Sequence, residues 1–562
     1  MSLLPTFVTV IVAAAGAASS PVSGSSGGNG LVLGRTAEPK VAWGPCPPEL
    51  KFNTLNPAAV CANLTVPLDY KNASSGAVVT LELLKWPAVH QPSRGSILFN
   101  PGGPGSSGRV DLNESGIWLS PATSGHFDLI GFDPRGVANT IPFFCYNMTN
   151  LADAAYKQVL DGRLQLGGNS SDAAMGSLWA TTSLQAAACG RAPQAQAVGN
   201  FTGTAFVARD MMSIVDALGE DGMLRFWGFS YGTVLGATVA AMFPDRIDKL
   251  VLDGVANPSD WYRAYEEERY SDTDATFRYF LQECIALGSR CPLAARRPNA
   301  TVDDLERIAR NKAQELKYHP VPIPGGEALG VPLTLDYFNF KSLIFLNLYN
   351  PISWAALAAG IDAVLAAPQN ATALLELAIA MASTEAGLDS SALTSIRCGD
   401  RVPRHKTVDE FAAAIKPTHD ISWIAGDVPT ASYMTCARWP YQAAERYLGD
   451  FGVKTKNPAL LISAQLDPTS PLVSARNVSA GLEGSVLLQR AGPGHCSSRL
   501  WSICTYRATR DYFLHGRLPA ANTTCEADLE VFASAQEYTA AIKNIIVTLT
   551  QENAANGSRS SP

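Results

Sequence analysis

Ser230 stands in Gly228-Phe229-Ser230-Tyr231-Gly232, a G-x-S-x-G pentapeptide. That pattern serves a tight turn between a strand and a helix. The flanking positions must lack bulk, and the serine hydroxyl is lifted clear of the sheet end. The apolar run Leu224–Phe229 supplies the strand, and the small-residue run Tyr231–Met242 supplies a buried helix. A serine hydroxyl is a weak nucleophile until a base takes its proton. Of seven histidines, His495 is best placed, in the glycine-rich loop Ala491-Gly492-Pro493-Gly494-His495 after the apolar run Ser485–Leu488. His319, His405 and His419 fall in a long helical stretch, and His515 ends a helix. The base in turn needs a carboxylate to orient it and to stabilise its charged form. Asp467 follows the run Ala459–Ser463; Asp253, which ends the strand Lys249–Asp253, is the rival. Negative charge developing on an acyl oxygen calls for two backbone N–H donors. Tyr231 offers one. The other lies in Asn100-Pro101-Gly102-Gly103-Pro104-Gly105, where the prolines have no N–H, so Gly103 is expected to donate with Gly102 in reserve.

These residues need a scaffold. Val78–Trp86, Ser96–Asn100, Phe127–Gly131, Leu224–Phe229 and Lys249–Asp253 read as strands. An amphipathic helix starts at Thr204, a plausible N-cap, and stops at Gly219. Strands alternating with helices imply an α/β fold with a mostly parallel sheet covered on both faces. The pattern changes at Pro258, and from there to Trp439 the chain reads as a helical insertion. Strand-like runs then return, and a helix is expected over about Arg499–Phe513. Asp133 and Arg135 read as a structural ion pair near the site.

The 562 residues carry 47% hydrophobic side chains and a net charge of -7, which excludes a disordered chain and leaves no basic face for nucleic acid. No H-E-x-x-H pattern is present, and no metal or cofactor is expected. Residues 1–18 read as a signal peptide ending at Ala15-Gly16-Ala17, with no stable membrane association, and 19–42 as a flexible leader. Eleven N-x-[ST] sequons and 11 cysteines fit a secreted glycoprotein. The cysteine positions suggest local pairs, Cys46–Cys61, Cys145–Cys189, Cys284–Cys291, Cys398–Cys436 and Cys504–Cys525, with Cys496 left over.

NPGGPG, DLIGFDPRGVANT, WGFSYGT, LDGVANP, LISAQLDPTSP and GPGHCSS together resemble the serine peptidases of the prolyl iminopeptidase / tripeptidyl aminopeptidase group. The resemblance runs from about Trp43 to Cys525. It implies an α/β-hydrolase fold, release of short fragments from peptides with free N-termini, and no cofactor. It carries the nucleophile to Ser230, the acid to Asp467 and the base to His495. Pro101 stands where prolyl iminopeptidases have His before Gly-Gly-Pro-Gly, which weakens proline specificity. On this reading 43–257 and 440–545 form the core, 258–439 the cap, and 546–562 a polar tail. A carboxylesterase or lipase with the same triad is the alternative. An aminopeptidase also needs acids facing the substrate's ammonium group. Glu266, Glu267, Glu268, Asp272 and Asp274, at the start of the insertion, are the candidates.

Overall fold

The computed structural model describes residues 40–48, 56–325, 333–366, 375 and 390–559. The expected signal peptide and most of the leader lie outside them. The strands are β1 (Gly44–Pro45), β2 (Val60–Pro67), β3 (Val78–Trp86), β4 (Ser96–Asn100), β5 (Asp128–Phe132), β6 (Leu224–Phe229) and β7 (Ile247–Asp253). They continue with β8 (Val321–Ile323), β9 (Leu333–Leu335), β10 (Leu460–Leu466), β11 (Val486–Pro493) and β12 (Thr524–Cys525). Ten of them form one sheet in the order β1-β2-β3-β5-β4-β6-β7-β10-β11-β12. The first three junctions are antiparallel. Every junction from β5 to β12 is parallel.

Both faces of this sheet are buried, and the strand period of two divides the apolar residues between them. Leu98, Phe226, Leu250, Leu252 and Leu461 belong to one core, beneath the Thr204–Leu218 and Tyr231–Met242 helices. Ile97, Phe99, Trp227, Val251, Leu460 and Ile462 belong to the other, with Leu112, Phe513, Ile545 and Leu549. The last two come from the Ala535–Arg559 helix, which runs through most of the expected polar tail. The preceding helix runs Ile503–His515 rather than from Arg499.

Among the described residues the insertion is mostly helical, from Pro258–Arg263 to Thr430–Arg438, with a short antiparallel β8–β9 pair. It has its own core, including Phe277, Leu305, Phe340, Trp354 and Tyr433. A second helical excursion, Leu151–Leu164 and Ala174–Arg191, precedes the Thr204 helix, and its Leu178 joins the insertion's core. The five bridges form as the cysteine positions suggest, and Cys496 is free and buried. Among the described residues no helix is long and apolar enough to cross a membrane.

Two local expectations are corrected. Thr204 is the first helical residue and Gly203 its cap; the Thr204 hydroxyl instead bonds Asp400 and Tyr231. Asp133 and Arg135 do not pair with each other. Asp133 takes Arg109 at 2.8 Å and Ser107 at 2.6 Å, while Arg135 makes a two-pronged bond to buried Asp210.

Candidate active site

The elbow is built as its glycines require. Ser230 sits at φ 54°, ψ -123°, a conformation that costs a residue with a side chain about 1–3 kcal/mol. Its N–H donates to Asp253 O at 3.0 Å, and its carbonyl accepts from Thr233 N–H and Oγ1. A Cβ on Gly228 would lie 2.4 Å from Gly232 O, and one on Gly232 would lie 2.7 Å from Asn100 O. Glycine at both positions lets the β6 strand end, the following helix and the β4 loop meet.

That β4 loop is where the sequence places the second oxyanion donor. Gly102 lies at φ +102°, and a Cβ there would fall 2.5 Å from Phe229 O and 2.8 Å from Ser230 Cβ. Its N–H is spent on Asn100 Oδ1 at 3.0 Å. This removes Gly102 as the reserve and leaves Gly103, which lines the same cavity as Ser230 and Tyr231. Gly102→Ala is expected to cost about 1–3 kcal/mol of stability, from positive φ and the backbone clash together. Thermal unfolding measures it.

Asp467 and His495 come together from the ends of β10 and β11. The Asp467 carboxylate is fully buried. Its oxygens lie 3.1 and 3.0 Å from His495 Nδ1. Thr469 N–H, Ser470 N–H and Cys496 N–H also donate to it. This fixes the carboxylate, and the carboxylate fixes the imidazole with Nε2 as the remaining nitrogen. Arg490 holds the histidine loop from below, donating to the carbonyls of Ala491 and Pro493 at 2.7 Å. From above, Tyr349 of the insertion accepts His495 N–H on its carbonyl at 2.9 Å. The Tyr349 ring meets the imidazole edge-on at 5.1 Å.

Asp253 does something else. It accepts Ser497 N–H at 2.7 Å and the Ser497 hydroxyl, so it ties the segment after His495 to β7. Burial pushes its carboxyl up to about 6, against those two hydrogen bonds. Cys496 packs where a Cβ on Gly254 would stand 2.4 Å from its sulfur. Burial also pushes its thiol well above the ordinary range.

The acidic residues of the insertion are scattered among different tasks. They lie in and around the turn between the Pro258–Arg263 and Thr273–Leu287 helices, not on one helix face. Glu267 is exposed. Glu268 accepts from Ser474, Asn477 and Asn257. Asp272 takes Leu472 N–H at 3.0 Å, and Asp274 takes the Ser422 hydroxyl and Trp423 N–H. Of the candidates only Glu266 lines the Ser230 cavity, at φ 55°. Three guanidiniums meet it: Arg269, Arg401 at 2.7 Å and Arg397 at 3.3 Å. Burial alone would raise its carboxyl; the charges of Arg397, Arg269 and Arg401 outweigh that and hold it well below the ordinary glutamate range.

Sequence reasoning missed Asp260, which lines the cavity too. It accepts Glu267 N–H at 2.8 Å and Glu268 N–H at 2.9 Å, and makes no ion pair among the described residues. Burial pushes its carboxyl up to about 6. Its place at the first turn of a short helix gave no signal beyond an ordinary first-turn acid. Among the described residues no group of three or more His, Cys, Asp or Glu could hold a metal ion.

Comparison with known proteins finds relatives of this fold and this C-terminal part. The alpha/beta hydrolase fold model matches residues 95–289, and the TAP-like protein model matches residues 422–525. Gly103, Ser230 and Tyr231 fall in the first and Asp467 and His495 in the second. Serine protease Hip1 of Mycobacterium tuberculosis is 29% identical over 517 residues, covering 87% of this chain and 92% of that protein. Tripeptidyl aminopeptidase of Streptomyces lividans is 25% identical, covering 89% of each. Carboxylesterase B of Mycobacterium tuberculosis is 27% identical, covering 91% of this chain and 94% of that protein. The chain has an α/β-hydrolase fold, and its C-terminal part is similar to the TAP-like proteins.

Proposed function

We propose that this protein is a secreted serine aminopeptidase that releases short fragments from peptides with a free N-terminus. Ser230 is the nucleophile, His495 its base and later the acid for the leaving amine, and Asp467 the orienting carboxylate. Gly103 and Tyr231 N–H groups stabilise the tetrahedral oxyanion. The observation that carries the reading is the buried Asp467 carboxylate on His495 Nδ1, following β10 and β11, with a strained Ser230 following β6 of the same parallel sheet. The similarity to a serine protease and a tripeptidyl aminopeptidase over most of the chain supports peptides as substrates.

The insertion walls the cavity with Asp260, Trp261, Glu266 and Arg269. Such a roof admits a chain end and hinders a long polypeptide. Asp260 is the wall's uncompensated acid, and a substrate ammonium beside it supplies the missing charge. Glu266, neutralised by its arginines, is the weaker partner. Five disulfides favour an oxidising compartment. Asn63, Asn72, Asn147, Asn169, Asn200, Asn299, Asn477 and Asn522 are exposed, as glycosylation would need.

The test is kcat/KM on matched free and N-acetylated di- and tripeptide amides. Leaving an acid unpaired opposite a blocked terminus costs about 1–3 kcal/mol, so the acetylated series should lose roughly ten- to a hundredfold. Equal values would remove the aminopeptidase reading. The similarity to carboxylesterase B favours the second reading, an esterase with the same triad. Short-chain esters turned over with no cleavage of free peptides would establish it.

A further inference from the structure

The insertion and the segment at 168–175 line a second, open cavity of about 610 Å³, within the usual range for small-molecule sites. It shares no lining residue with the Ser230 cavity. One wall is the Val302–Tyr318 helix, whose Arg310, Gln314 and Lys317 are spaced to share a face. Arg310 stacks over the Trp423 ring at 4.9 Å and Lys317 over the Tyr337 ring at 4.6 Å.

Lys341 forms the floor and is 1% exposed. It donates to Tyr337 OH at 2.9 Å and pairs with Asp427. The other Asp427 oxygen accepts Asn169 N–H at 2.9 Å. The turn that brings Asn169 there needs glycines. A Cβ on Gly167 would lie 2.9 Å from Asp427 Oδ2, and one on Gly168 would lie 2.6 Å from the His419 ring. Asp427 is therefore committed to the floor. Asp427 and Tyr337 hold the Lys341 ammonium in place. Of the three cations lining the cavity, Arg310 is paired with Glu306 and Lys341 with Asp427. Lys317, partly exposed and without an ion pair among the described residues, is the cation open to an occupant.

We propose that this cavity binds a small carboxylate with an apolar or aromatic body. Its carboxylate lies toward Lys317 and its body against Trp423 and Tyr337. A short peptide engages it through its C-terminal carboxylate. The cavity is a second site, independent of the Ser230 chemistry.

Calorimetry on Ser230→Ala protein tests it with N-acetylphenylalanine, its amide, and inorganic phosphate. The acid should saturate one site, with the amide at least tenfold weaker and phosphate unable to displace the acid. Lys317→Glu reverses one partly exposed charge and leaves the Lys341–Asp427 pair intact. It should weaken the acid tenfold or more and leave kcat/KM of the otherwise wild-type enzyme on a short ester unchanged. Absence of saturable binding, equal affinity for acid and amide, or indifference to Lys317→Glu would each overturn the site. Displacement of the acid by phosphate would overturn the part assigned to the aromatic wall.

Discussion

Ser230→Ala should lower kcat by about 10⁶ and leave the protein folded. The size follows from the division of labour at the site. His495 is held by Asp467, by its own backbone bond to Tyr349 and by the loop that Arg490 braces. None of these contacts uses the Ser230 hydroxyl. Removing that oxygen takes away the atom that forms the acyl bond, while the oxyanion donors and the binding walls stay. The residual rate then comes from those parts alone. Stability should change little, because Ser230 is pinned through its backbone N–H and carbonyl. Its positive φ remains with alanine, so no strain is relieved. The checks are single-turnover kinetics with thermal unfolding on the same sample. A folded variant with near wild-type kcat would remove Ser230 from the mechanism.

Asp467→Asn should lower kcat by about 10⁴. The amide can still occupy the pocket, but its NH₂ faces His495 Nδ1. The imidazole then places its proton on Nε2, where the serine needs an acceptor. Asp253→Asn is the control. The Asp253 carboxylate serves Ser497 rather than the imidazole ring, and its backbone carbonyl, unchanged in the variant, takes the Ser230 N–H. Its loss should cost about 1–3 kcal/mol of stability and leave most of the activity of the folded fraction. The comparison needs kcat normalised to active protein, with unfolding curves for both variants. Silence in folded Asp253→Asn with activity in Asp467→Asn would exchange their roles.

The site was legible because each part is written locally. The serine turn, the Asp467 turn and the His495 loop each combine an apolar strand with glycine or proline punctuation over a few residues. Seven strands were legible for the same reason, with boundaries moved by only a few positions, while β2 and the short β1, β8, β9 and β12 were not read. What the sequence hid were partners chosen across long separations. Glu266 and Arg401 lie 135 residues apart, so an apparent acidic patch became a neutralised carboxylate. Arg135 found Asp210, 75 residues on, instead of its neighbour Asp133. The Leu151–Leu164 helix escaped notice because only Leu160 on it is buried, which leaves no apolar stripe to read. The Ala535–Arg559 helix hid in a polar composition, since few positions such as Ile545 and Leu549 reach the core.

The bond from Tyr349 to the histidine loop bears on how this architecture can be trimmed or recombined. A roof that merely covered a finished active site could be excised, leaving a smaller and more open catalyst. Here the roof is also part of the frame. Tyr349 supplies the acceptor for His495 N–H, and its hydroxyl reaches Thr469, whose N–H serves Asp467. Pro351 packs so closely that a Cβ on Gly494 would come within 2.9 Å of it. Deleting the insertion would unseat base and acid together. Transplanting it onto another hydrolase would need the glycine at 494 and the acceptor geometry at 349 to travel with it. Substrate range and catalytic competence are therefore inherited as a unit in this chain, and swaps that respect only the sheet should yield folded but silent proteins.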